Sequence, residues 1–150
     1  MKVSEATLQA TRKEWRDLGF YYETRDRPPC WRLIGSPTGL EKFVQLLDQY
    51  VRDARNTLLA EHEHYGPYMY LKVQTSETPE IDDRGIRGTL EDLARLRDLV
   101  SARLRSADPG QVFSIGREYS TRVRFPLQFE VRQPDFDPAS ADPQLRTSPS

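Results

Sequence analysis

The chain holds one cysteine, two histidines and no excess of basic charge, and each scarcity removes a class of function. With Cys30 alone, neither an intramolecular disulfide framework nor a cysteine-rich zinc site can form. The thiol follows Pro28 and Pro29 and reads as a small half-buried side chain, not a catalytic nucleophile. A formal net charge of -1, from 22 basic and 23 acidic residues, gives no global attraction to a polyanion, so nucleic acid is not the expected partner. No apolar run approaches the ~20 residues that cross a bilayer, and the opening MKVSEATLQATRKEW has no apolar signal core. We therefore expect a cytoplasmic protein with no membrane association.

What is present suits one hydrophobic core: 150 residues, 37% hydrophobic and 30% charged. Residues 1–132 are expected to form a single α/β domain. From Gln133 onward the chain has Pro134, Pro138, Pro143 and Pro149 with few large apolar residues, which predicts a flexible tail over 133–150.

Periodicity supplies the elements. Leu8, Thr11, Trp15 and Leu18 recur at helical spacing over residues 4–17. Two short aromatic and branched runs, 19–24 and 30–35, flank Arg25-Asp26-Arg27-Pro28-Pro29 and read as strands joined by a tight loop. Leu40, Phe43, Val44, Leu47, Val51, Ala54 and Leu58 form the stripe of a second helix. Its start is either a Thr38/Glu41 capping box or Ser36 as cap with Pro37 at the first helical position. The turn from Gly35 to Gly39 has neither the lysine nor the spacing of a phosphate-binding loop and reads as a connection. A third helix starts at Thr89, with Asp92 completing a capping box, and runs on Leu90, Leu93, Leu96, Val100 and Leu104 until Asp108-Pro109-Gly110. A terminal hairpin joins 111–116 to 121–132, where Val123, Phe125, Leu127, Phe129 and Val131 line one face and Pro126 marks an edge or bulge. Strand-helix-strand order with alternating strands predicts a two-layer α/β sandwich: a mixed sheet of about five strands with helices on one face.

Function is sought first in EHEHYGPYMYLKVQT, residues 61–75, which contains both histidines. Met69, Leu71 and Val73 alternate with Tyr68, Tyr70 and Lys72, which predicts a strand after the Gly66-Pro67 turn. His62 and His64 precede that turn, where the second helix runs out, and suit a helix C-terminus. A metal site would need about three ligands, and no H-E-x-x-H or cysteine pattern supplies them. No G-x-S-x-G occurs either, so a non-enzymatic chain without cofactor is expected. The uncovered sheet face would carry Tyr68, Tyr70, Lys72, Arg122 and Arg124, with Tyr65 close by, and tyrosine and arginine are the residue types that anchor binding surfaces. Beside it, SETPEIDDRGIRG (76–88) is a turn-rich loop whose Glu77, Glu80, Asp82 and Asp83 could face a basic partner.

Three stretches together, GSPTGLEKFVQLL (35–47), EHEHYGPYMYLKV (61–73) and GIRGTLEDLARL (85–96), resemble small bacterial immunity proteins encoded beside polymorphic or contact-delivered toxins, and are similar to immunity protein family 32. The resemblance spans residues 19–106. It implies tight binding of a cognate toxin domain and occlusion of its active site, by a monomer or homodimer. No residue-level binding set comes with it. Two rival expectations are a hydrolase using His62, His64 and a loop carboxylate, and a single-stranded RNA binder stacking bases on the tyrosines.

Overall fold

Hairpins are the unit from which the fold is built. In the computed structural model, which describes residues 4–146, β1 (Tyr21–Asp26) pairs antiparallel with β2 (Pro29–Gly35), and β7 (Val112–Ile115) with β8 (Leu127–Val131). β2 and β8 run parallel at the centre, giving the order β1-β2-β8-β7. A second sheet repeats the plan. β3 (His62–Tyr65) pairs with β4 (Leu71–Thr75), β5 (Glu80–Asp82) pairs with β6 (Gly85–Gly88), and a parallel β4-β6 pair gives β3-β4-β6-β5.

Helices carry the chain between the sheets. α1 (Glu5–Leu18) leads into the first hairpin, α2 (Pro37–Arg52) crosses to the second sheet, and α3 (Leu90–Arg105) crosses back. α2 packs on α3 and on β2 and β8, while α3 also reaches β6 and β7. Phe43 of α2 meets Phe129 of β8 edge to face at 5.5 Å, and the buried set from Leu33, Leu47, Leu71, Ile86 and Leu96 is continuous across both sheets. Residues 121–126 lace the sheets together. Val123 bridges Ile81 of β5 in parallel, the Ile81 carbonyl accepts the Arg124 N–H at 2.8 Å, and the Pro126 carbonyl accepts the Trp31 N–H at 2.9 Å as β8 begins.

The mixed α/β class agrees with the periodicity and β7 and β8 do pair, but the strand expected over 121–132 is only Leu127–Val131, an interior strand that begins after Pro126, and the single sheet of about five strands is corrected to two sheets of four. β3 and β5 are short, and β3 exposes three of its four residues, so neither displays the apolar alternation that marks a strand. The helix expected to reach Leu58 ends at Arg52. Asp53 caps a 3-10 turn over Ala54–Thr57, buried Asn56 donates from Nδ2 to the Tyr50 carbonyl at 2.8 Å, and Leu58 is left 63% exposed. Of the two possible starts, α2 uses Ser36, whose hydroxyl accepts the Gly39 N–H, with Pro37 in the first turn. The Thr89/Asp92 capping box of α3 forms with both bonds at 3.0 Å.

The flexible tail is the second correction. From 133 to 146 the chain docks: Pro138–Ala141 and Pro143–Leu145 form 3-10 turns, Ala139 and Leu145 are buried, and Arg16 pairs with Asp137 at 3.0 Å. Each turn is opened by an Asp-Pro step in which the carboxylate accepts a backbone N–H two residues on. Backbone satisfied locally in this way needs few apolar contacts to order. Residues 147–150 of the expected tail lie outside the described residues. Among those described, no helix is long and apolar enough to cross a membrane.

Candidate functional site

A cleft of about 540 Å³ opens where α1, β1, the β3–β4 turn, the β5–β6 turn and the docked tail meet. Four consecutive residues of β1, the edge strand of the first sheet, form one wall: Tyr21, Tyr22, Glu23 and Thr24. Trp15 from α1 and Trp31 from β2 form the floor, both almost fully buried. Tyr68 and Tyr70 stand opposite, Asp83 projects from the β5–β6 turn, and Asp142 to Gln144 close the end.

The rings form a connected array. Trp15 lies 4.8 Å from Tyr21, 5.2 Å from Tyr22 and 6.0 Å from Tyr68, Tyr22 lies 5.9 Å from Trp31, and Tyr68 lies 5.8 Å from Tyr70. Hydrogen bonds fix their polar ends. The Tyr22 hydroxyl donates to the Tyr65 carbonyl and accepts the Tyr70 N–H at 3.2 Å, and the Trp31 indole donates to the Asp82 carbonyl at 2.6 Å. Gly66 is required at the turn above Tyr22: its φ is +89°, and a Cβ there would overlap the Tyr22 hydroxyl.

Asp142 organises the closed end. Only 2% exposed, it accepts the Trp15 indole N–H at 2.8 Å and the Tyr68 hydroxyl at 2.6 Å on Oδ2, and the Gln144 N–H at 2.9 Å on Oδ1. Burial pushes the Tyr68 phenol well above the ordinary tyrosine range, and the Asp142 carboxylate acts in the same direction. Burial first and Glu23 second push Tyr21 up to about 12.

Of the residues expected from the sequence, Tyr68, Tyr70 and Asp83 converge on this cleft. Tyr68 and Tyr70 sit in the turn before β4, not on the strand, and Met69, expected in the core, has φ +60° and is exposed. Tyr65 lies at the margin of the core, half-buried and outside the cleft lining. Lys72 pairs opposite His64 across the β3–β4 ladder. The loop expected over 76–88 is mostly the β5–β6 hairpin, and two of its carboxylates are already engaged. Arg87 binds Asp82 at 2.7 Å and Glu80 at 3.0 Å, Arg122 reaches Glu80 at 3.3 Å, and Arg124 lines the same hollow. The Arg87 hydrogen bond holds Asp82 below the usual carboxylate range, and those from Arg87 and Arg122 do the same for Glu80. Glu77 and Asp83 are exposed and form no ion pair among the described residues.

His62 and His64 lie on β3, not at a helix end. Their rings are 5.1 Å apart, and each donates from Nδ1 to a backbone carbonyl, of Ala60 at 3.1 Å and of Met69 at 3.0 Å. Among the described residues no group of three or more histidine, cysteine or carboxylate side chains is placed to hold a metal ion, so the pair lacks the third ligand that the hydrolase expectation needs. Carboxylates in the cleft also oppose a phosphate backbone, which weakens the RNA expectation.

Trp15, Tyr21, Tyr22, Glu23, Trp31 and Asp142 were not singled out from the sequence. Their signal was present in Phe20-Tyr21-Tyr22 and Asp142-Pro143, but only the packing of α1 on the β1–β2 hairpin and the docking of the tail bring them together. Comparison of the chain with protein-family models, with curated proteins and with solved structures found no match.

Proposed function

We propose that this chain is a non-enzymatic protein-binding module of the immunity type, which neutralises a cognate bacterial toxin domain in the cytoplasm by covering its active site. The observation that carries the reading is the aromatic cleft. Tyrosine supplies large contact area at little entropic cost: Tyr70 is 66% exposed, and half-buried Tyr68 is held by its hydrogen bond to Asp142 against the buried Trp15 before any partner arrives. Exposed Met69 and Tyr70 extend the apolar surface beyond the mouth. Exposed Asp83 at the mouth favours encounter with a basic surface, such as the cleft of a nucleic-acid-cleaving domain. No cofactor enters this reading.

The test is co-expression with the product of the adjacent gene. The expected result is a stoichiometric complex that restores growth, with both complex and rescue lost in Tyr68→Ala/Tyr70→Ala. A neighbouring protein that is not toxic, or a toxic one that neither binds nor is silenced, overturns the reading.

A further inference from the structure

We infer that the cleft is a receptor for a cationic side chain, an arginine presented by the partner protein. This rests on the reading of the chain as a protein-binding module and names the chemistry of its central contact. The sign of the lining carries the inference, beginning with Asp142 at the closed end. That residue is a carboxylate almost fully removed from water that accepts three hydrogen bonds and, among the described residues, pairs with no cation. Buried charges are ordinarily matched by a countercharge. Arg12, the guanidinium that reaches the same tail, donates from Nη2 to the Leu145 carbonyl at 3.3 Å, and its buried Nη1 lies 3.5 Å from Glu5 without a hydrogen bond.

The rest of the lining has the same sign. Its ionisable groups other than tyrosine are Glu23, Asp83 and Asp142, with no lysine, arginine or histidine. Glu23 is shared with Arg25 and Arg32, and Asp142 is sealed behind its three donors, which leaves Asp83 at the mouth as the carboxylate open to a partner. The contrast lies one residue away: Asp82 is taken by Arg87, while Asp83 is exposed and unpaired among the described residues. Tyr70, 66% exposed, lines the same cleft, and the face of an aromatic ring attracts cations. A guanidinium suits this setting better than an ammonium, because it is planar, stacks on rings and is less strongly hydrated.

The chain contains its own reporter, since its two tryptophans, Trp15 and Trp31, both line the cleft. Intact protein is titrated with acetyl-arginine amide, and with acetyl-citrulline amide as a neutral probe of nearly the same shape. The expected result is a saturable change in tryptophan emission with a roughly millimolar Kd for the arginine probe, and binding at least about tenfold weaker for citrulline. Tyr70→Ala and Asp83→Asn, both at exposed positions, are each expected to weaken arginine binding about fivefold with unchanged circular dichroism. A flat titration, equal binding of citrulline, or indifference to both substitutions overturns the inference. The two readings fail separately. A toxin complex with a flat arginine titration removes the cationic contact and leaves the binding module, whereas a positive titration without a complex leaves the cation receptor and removes the immunity role.

Discussion

Replacing Asp142 with alanine tests whether the tail belongs to the folded domain. The carboxylate accepts from the Trp15 indole at 2.8 Å, the Tyr68 hydroxyl at 2.6 Å and the Gln144 N–H at 2.9 Å. Hydrogen bonds to a charged group contribute about 1.5–3 kcal/mol each, and the effects of neighbours do not simply add. The three donors fare differently in Asp142→Ala. The Tyr68 hydroxyl and the Gln144 N–H are only part-buried and can turn to water, whereas the indole N–H belongs to a side chain 1% exposed. Stranding that donor costs about 1–3 kcal/mol, and with the other losses the expected destabilisation is ~3 kcal/mol. It is capped by the docking free energy of residues 133–146, because the tail can detach while the rest stays folded. Asp142→Asn keeps the shape but turns one oxygen into an NH2 that faces a donor, so about 1–2 kcal/mol is expected. Urea unfolding followed by circular dichroism measures both, and amide exchange at Ala139 to Leu145 reports detachment directly. Detachment also lowers the urea m-value, since less surface remains to be exposed. An Asp142→Ala protein within ~0.5 kcal/mol of the parent, with unchanged exchange in the tail, would refute the reasoning.

Three further outcomes are expected. In Arg87→Met the Glu80 and Asp82 carboxylates lose their shared partner, for a loss of about 1–2 kcal/mol at neutral pH. Because the folded-state pKa of both carboxyls is lowered, that contribution is present above the ordinary carboxylate range and fades as pH falls below about 4, so the stability gap between variant and parent should close on acidification. Burial raises the phenols of Tyr21, Tyr22, Tyr50, Tyr65, Tyr68 and Tyr119, so the stability they contribute is intact below about pH 10 and is lost as pH rises through their folded values. Tyrosinate absorbance should lag behind that of free tyrosine and then rise together with unfolding; a simple titration centred near pH 10 contradicts the burial. Gly39→Ala places a Cβ onto the Gly19 carbonyl, a backbone atom that cannot swing away, and a loss of more than about 2 kcal/mol in thermal or urea unfolding is expected.

The sequence disclosed those parts of the fold whose signal is local. α3 is marked by a cap, a stripe and a stop, and all three are where periodicity puts them. The end of α2 is not, because Ala54 and Leu58 prolong the helical spacing although Asp53 and Asn56 divert the backbone into a 3-10 turn. β3 was hidden for a different reason. An edge strand that exposes His62, Glu63 and His64 has no buried face to read, so the histidines suggested chemistry where the backbone uses them as a ladder. The cleft was half legible. Tyr68 and Tyr70 were marked by residue type, though read on a strand face, and Asp83 by its acidic turn, but Trp15, Tyr22 and Asp142 are separated from them by long stretches of chain, and such contacts leave no spacing to count.

The β5–β6 turn shows why the acidic segment has two roles instead of one. Asp82 is bound by its carboxylate to Arg87 and by its carbonyl to the Trp31 indole, so it ties the second sheet to the floor of the cleft in the first. That tether fixes the position of the next residue, Asp83, at the cleft mouth with its carboxylate unpaired among the described residues. Reversing both charges together would therefore confound structure with recognition: Asp82 acts through the fold and Asp83 through the partner. Asp83→Asn alone should leave stability within ~0.5 kcal/mol while slowing association with a basic partner at low salt. Asp82→Asn should instead lower stability and disturb the Trp31 environment before it affects encounter.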